Sequence, residues 1–218
     1  MQKDFSPKNL FPGDYPKSKF QTCKNMPKFQ RRRVAEEAAR FIVEGCEAEY
    51  LHAKERAISM LGLSSSSHLP SNRKIKDCIA RLTASQLGDE EVKRRITEMR
   101  RIAAEIMEVI PDADPFLIGS TLTGQIRDSS DIDLHAYSDD YTILKNQLLD
   151  WGYEEIEEEI VDNRKGRFVH LKWHENEYPV EITVYPWSWR DVVLNSSVTG
   201  KPMKRADINA LKALLKRS

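Results

Sequence analysis

The chain has 218 residues, with 34 Lys plus Arg balancing 34 Asp plus Glu, and 40% of its residues are hydrophobic. That is enough apolar material for one or two globular domains with a buried core, and too much for a disordered chain. No apolar run approaches the ~18 residues of a membrane span, the opening MQKDFSPKNLF lacks a secretory apolar stretch, and Cys23, Cys46 and Cys78 show no CxxC spacing. The expectation is a cytoplasmic protein with reduced thiols and no cysteine zinc site.

Residues 1–30 contain Pro7, Pro12, Pro16 and Pro27 with six lysines and no helical period, which predicts an extended basic arm. From Arg31 onward Val34, Ala38, Phe41 or Ile42, Gly45 or Cys46, Tyr50, Ala53, Ala57 and Met60 recur at helical spacing and predict one long amphipathic helix stopped by Gly62. SSSSHLPS reads as a loop, and Ser71 can cap a second helix with Ile75, Ile79 and Leu82 on its buried side, ending near Gly88. A third helix runs from about Asp89 to Ile110 along Val92, Ile96, Met99, Ile106 and Val109, and Pro111 closes it. Residues 31–110 thus form a helical N-terminal region.

Beyond Pro111 the period shortens. PFLIGS, DIDLHAY, YEEIEEEIV, RFVHLKW and VEITVY read as strands, with a helix from about Asp139 to Trp151 and a short one from about Arg205 to Lys216. Residues 111–218 are therefore expected to form an α/β domain, and the whole an α+β protein with a mixed sheet flanked by helices. Charge divides along the same line: residues 1–110 carry 21 basic and 15 acidic side chains, residues 111–218 carry 13 and 19. Either the basic part faces a polyanion and the acidic part holds cations, or the two halves attract each other. Arg31, Arg32 and Arg33 oppose the dipole at a helix start, which favours a partner such as nucleic acid over a role in helix stability.

Chemistry concentrates in IGSTLTGQIRDSSDIDLHAY. Strand alternation puts Asp131 and Asp133 on one face, with Ile132 and Leu134 on the other. Glu181 is a single acid set between Val180 and Ile182 in a core-like strand. Were the three carboxylates to converge, each pair ~5 Å apart would repel by roughly 3 kcal/mol at an effective dielectric of 20, a penalty that a divalent cation removes. Oxygen ligands suit Mg²⁺ or Mn²⁺, while Gly119 and Ser120 offer close backbone approach and a hydroxyl to a phosphate.

These residues, Ile118, Gly119, Ser120, then Asp131, Ile132, Asp133 after a spacer of about ten, and Glu181 on a later strand, resemble the DNA polymerase beta-like nucleotidyltransferase superfamily over residues 112–190. Glutamate at the third acidic position is similar to the kanamycin nucleotidyltransferase-like members. The resemblance implies that Asp131, Asp133 and Glu181 ligate two Mg²⁺ or Mn²⁺ ions, with Glu181 alternatively the general base, and that Gly119 and Ser120 hold the tail of a nucleoside triphosphate. It implies transfer of a nucleoside monophosphate, AMP from ATP, to a hydroxyl on a small molecule, a protein or RNA, with release of pyrophosphate. The alternative is a catalytically idle nucleotide-binding regulatory or toxin/antitoxin-type module acting through a protein or RNA partner.

Other polar residues carry blander expectations. His135 continues the aspartate face as a structural histidine, and His170, Lys172 and His174 form a solvated strand face. Arg127 either reaches phosphates or lies on the surface. The acids Glu154 to Glu159 are exposed, and Trp187 and Trp189 pack in a core or interface rather than on a base.

Overall fold

The structure is a computed structural model that describes residues 28–63, 69–163, 166–196 and 200–217. Most of the expected basic arm, Cys23 and the serine run lie outside the described residues. Among the described residues no helix is long and apolar enough to cross a membrane.

The long helix expected from Arg31 to Met60 is two helices, α1 (Lys28–Val43) and α2 (Tyr50–Met60). Gly45 takes φ +70, and the Cys46 N–H donates to the Phe41 carbonyl (2.9 Å), the six-to-one bond of a Schellman turn that ends a helix. The apolar stripe resumes in phase beyond the turn, which is why periodicity alone joins the two pieces. The next two helices follow their expected limits. In α3 (Asn72–Leu87) the Ser71 hydroxyl accepts from the Lys74 N–H (3.3 Å), and Gly88 at φ 88 turns the chain into α4 (Asp89–Val109). Asp89, Glu90 and Glu91 fill the first turn of α4, where the helix dipole favours acids.

Five strands follow: β1 (Phe116–Leu117), β2 (Ile132–Tyr137), β3 (Glu157–Asn163), β4 (Gly166–Glu175) and β5 (Tyr178–Tyr185). They form one mixed sheet in the order β1-β2-β5-β4-β3, with β2 and β5 parallel and the other neighbours antiparallel. A short α5 (Gly119–Thr123) links β1 to β2, α6 (Tyr141–Trp151) follows β2 with Asp140 as its cap, and α7 (Ile208–Leu215) starts at the Asp207 cap. PFLIGS is thus strand only at its centre, and Gly119 and Ser120 open α5.

One face of the sheet is apolar. Ile132, Leu134 and Ala136 of β2, Val180, Ile182 and Val184 of β5, and Leu171 and Trp173 of β4 are buried together with Met99 and Ile106 of α4, Leu144 and Leu148 of α6, and Leu211 of α7. Alternation then sends Asp133, His135 and Tyr137, Glu181, Thr183 and Tyr185, and Phe168, His170 and Lys172 to the opposite face. The protein is α+β, a mixed sheet layered against helices and preceded by a helical region. The buried side of α4 belongs to the sheet's core, whereas α1, α2 and α3 enclose their own, with Val34, Ala38, Ile42, Ala53, Ile75 and Ile79 inside.

Candidate active site

The open face of the sheet gathers the acidic residues. Thr121 Oγ1 donates to the Asp131 carbonyl (2.9 Å) and the Ile118 N–H donates to the Asp133 carbonyl (3.0 Å), so the turn after β1 grips the start of β2. Asp131 stands one residue before the strand and Asp133 is its second residue. In the parallel pairing of β2 with β5, Asp133 lies directly opposite Glu181. Neighbouring strands are ~4.8 Å apart, which brings the three acids onto one patch of one face.

Gly119 lies against that patch. Its φ is +71, and a Cβ there would stand 2.1 Å from Asp133 Oδ2, so backbone conformation and space both demand glycine. Ser120 Oγ donates to Ser130 Oγ (3.3 Å), which accepts from the Arg127 N–H (2.8 Å) and closes the loop between α5 and β2.

Burial raises Asp133 to about 7, with the charges of Asp131 and Glu181 adding and those of Lys76 and Arg127 opposing. Burial likewise raises Asp131, and the Glu181 charge adds to it. Glu181 moves the other way. His170 Nδ1 lies 2.6 Å from Glu181 Oε1 and Lys172 Nζ 3.5 Å from Oε2, and the His170 hydrogen bond, outweighing burial, holds this carboxyl below its ordinary range. His135 is buried edge-on against Tyr185. Burial first, then the charges of Arg205 and His170, pushes it down to about 4, so its imidazole is neutral at neutral pH.

Two aspartates that resist ionisation lie side by side on a half-buried face, the kind of oxygen donors that hard cations take. The donor set fits Mg²⁺ or Mn²⁺, which bind through one or two carboxylates and take their remaining oxygens from water and substrate phosphate. Glu181 shares the patch but is engaged by His170 and Lys172, and among the described residues no three His, Cys, Asp or Glu side chains close on one point as a ready-made cage.

His170 and Lys172 are therefore not a solvated face: β4 lies next to β5, His170 bonds Glu181, and Lys172 lies between Glu181 and Glu159 of β3, with its shorter bond to Glu159. His174 is exposed, as are Glu154, Glu155 and Glu157 to Glu159, while Trp189 stacks on Tyr185 at 16°. The helical region also reaches the site. Lys76 of α3 donates to Thr123 Oγ1 (3.3 Å), a hydroxyl that itself bonds the Gly119 carbonyl (3.1 Å), and its charge is felt by Asp133. Nothing in the sequence singles out Lys76, because the pairing of α3 with α5 spans more than forty residues of chain.

No family model matches the chain, and no curated protein matches it. Among solved structures it is similar to a cytoplasmic RNA terminal U-transferase, at 17% identity and a TM-score of 0.32, over 53% of this chain and 38% of that one. A structure of Cid1 with its short product ApU aligns at 18% identity and a TM-score of 0.30, over 41% and 31%. The Cid1 poly(U) polymerase with MgGTP bound aligns at 16% and 0.31, over 52% and 38%. The matched part thus spans between three and four tenths of the length of these relatives.

Proposed function

We propose that the protein is a divalent-metal-dependent nucleotidyltransferase that moves a nucleoside monophosphate, AMP from ATP in the first instance, onto a hydroxyl acceptor. The observation that carries this function is the register of β2 with β5, which sets Glu181 beside Asp133 on the open face while Gly119 abuts the Asp133 carboxylate. The close approach of Gly119 to Asp133, with Asp131 beside it, supports the cation site and phosphate turn that the resemblance to the polymerase beta-like superfamily implies.

Asp131 and Asp133 would hold Mg²⁺ or Mn²⁺, which supplies charge neutralisation for the triphosphate when bound. Gly119 admits the phosphate tail to the backbone, and the Ser120 hydroxyl would donate to it by turning from Ser130 Oγ. Lys76 and Arg127 bring positive charge to the same side. The acceptor oxygen forms a bond to the α-phosphorus, the bond to the bridging oxygen breaks with its electron pair leaving on pyrophosphate, and the hydroxyl proton passes to solvent or a carboxylate. Because His170 and Lys172 stabilise its ionised form, Glu181 makes a weak general base and serves better as an oxygen ligand.

The test is release of pyrophosphate from each of the four nucleoside triphosphates with Mg²⁺ or Mn²⁺ and a panel of hydroxyl acceptors. Asp131→Asn and Asp133→Asn should each lower turnover by at least ~10³; activity retained in both variants refutes the assignment. The engagement of Glu181 by His170 and Lys172 favours a second reading, an idle nucleotide-binding module. Nucleotide binding without turnover across the panel identifies it.

A further inference from the structure

The helix between β1 and β2, α5, has only five residues, yet the site is built on it. Gly119 and Ser120 open it, and the hydroxyl of its fully buried Thr121 donates to the Asp131 carbonyl (2.9 Å). Isolated helices shorter than ~12 residues are marginal in water, and the last carbonyls of any helix lack partners inside it. Groups outside α5 must therefore hold it in place.

Among the described residues two cations bond to α5. Lys76 reaches the Thr123 hydroxyl, but α3 packs in the core of the helical unit and not in that of the sheet. Arg100 comes from the middle of α4, where Met99, Ile102 and Ala103 share one core with Ile132 and Leu134 of β2. Its Nε donates to the Thr121 carbonyl (3.1 Å) and its Nη2 to the Leu122 carbonyl (3.0 Å), a forked grip on two successive carbonyls. Gly124, at φ +72, ends the helix against the same guanidinium, and a Cβ there would stand 3.6 Å from Nη2. Burial lowers the pKa of Arg100, and among the described residues no carboxylate offsets that burial. If the contact served only to pack α4 on α5, an apolar side chain of similar length would do so without desolvating a charge. What the planar fork adds is orientation, because it fixes two points of the backbone at once.

We propose that Arg100 is a positioning residue for the turn of residues 119–123: by tying the Thr121 and Leu122 carbonyls to α4, it sets where Gly119, Ser120 and, through Thr121, Asp131 stand relative to Asp133. The use of that placement for metal and nucleotide rests on the transferase function proposed above. Groups that bind a reacting phosphate have to be held within ~0.5 Å of their working geometry, and a misplacement of ~1 Å costs up to ~10²-fold.

The experiment compares the full-length wild type with Arg100→Met, which keeps an apolar stem, and Arg100→Lys, which keeps the charge but not the fork. The first readout is amide exchange in EDTA. The N–H groups of Gly124 and Gln125 both donate to the Ser120 carbonyl (2.8 and 3.3 Å). They should exchange at least ~10-fold faster in Arg100→Met, while Leu134 of β2 and Ile182 of β5 keep their wild-type rates. The second is Mn²⁺–ATP binding, followed by the loss of the free Mn²⁺ spectrum. Affinity should fall at least ~10-fold in Arg100→Met and less in Arg100→Lys, and millimolar guanidinium should restore part of it to Arg100→Ala. Should Arg100→Met not fold, the same readouts on Arg100→Lys decide. Unchanged exchange at Gly124 and Gln125 overturns the proposal, as does faster exchange there with wild-type Mn²⁺–ATP affinity. Faster exchange throughout the sheet, relieved neither by lysine nor by guanidinium, also overturns it and leaves Arg100 a structural residue. Faster exchange confined to the turn, in a protein whose wild type binds no Mn²⁺–ATP, upholds the positioning and refutes the transferase function.

Discussion

Replacing Asp133 with asparagine should stabilise the metal-free protein. A rise from 3.8 to about 7 corresponds to roughly 4 kcal/mol of penalty on the ionised form in the folded chain, an upper figure because three carboxylates share it. Half of it, about 2 kcal/mol, raises the melting temperature of a chain this size by roughly 4–8 °C. The sign with pH follows from linkage. Above pH ~4 the unfolded chain has released a proton that folded Asp133 still holds, so the wild type loses stability from there up to about pH 7. The asparagine side chain has no proton to release and carries no such dependence, so the gain should be largest at pH 8 and shrink toward pH 4. Thermal melts in EDTA at pH 5 and pH 8 read this directly. Adding Mn²⁺ at about 100 times its dissociation constant should then stabilise the wild type by ~2.7 kcal/mol and leave the variant unmoved. A variant that melts at or below wild type at pH 8, or a difference constant with pH, refutes the account of a strained carboxylate.

Gly119→Ala should lower stability by about 1–3 kcal/mol, from the left-handed backbone and the displaced Asp133 carboxylate, and should abolish Mn²⁺ binding in a titration of the folded protein. His170→Ala removes a hydrogen bond to a charged acceptor and should cost about 1.5–3 kcal/mol in urea unfolding; an unchanged midpoint would show that Glu181 does not depend on it. Leu134→Ala, in the centre of the sheet's core, should cost about 2–5 kcal/mol, whereas Val193→Ala at an exposed site should change stability by less than ~0.5 kcal/mol.

What was legible in the sequence was mostly local. Ser71, Gly88 and Pro111 mark helix limits because capping is decided within a few residues of the cap. Alternation in DIDLHAY correctly separates the acids from the core. Pairing was not legible: Asp133 meets Glu181 only because β2 and β5 run side by side and parallel, a contact across forty-eight residues of chain. The same strand order turns His170 and Lys172 from expected solvent-facing groups into partners of Glu181. The stripe on α4 shows that it buries a face, but the stripe does not say against what, and the helix lies on the sheet rather than with the helices before it.

The division of the interior into two separate cores has a thermodynamic consequence. Three helices with their own apolar centre, joined to the rest at Gly88 and touching the loop of residues 119–127 through polar side chains, form a unit that can open by itself, below the cost of global unfolding. Amide exchange in α1 to α3 should therefore be faster than in β2 and β5. Each such opening withdraws Lys76 and admits bulk water to the aspartates, so how often that flank is wet is governed by a bundle that takes no part in the sheet.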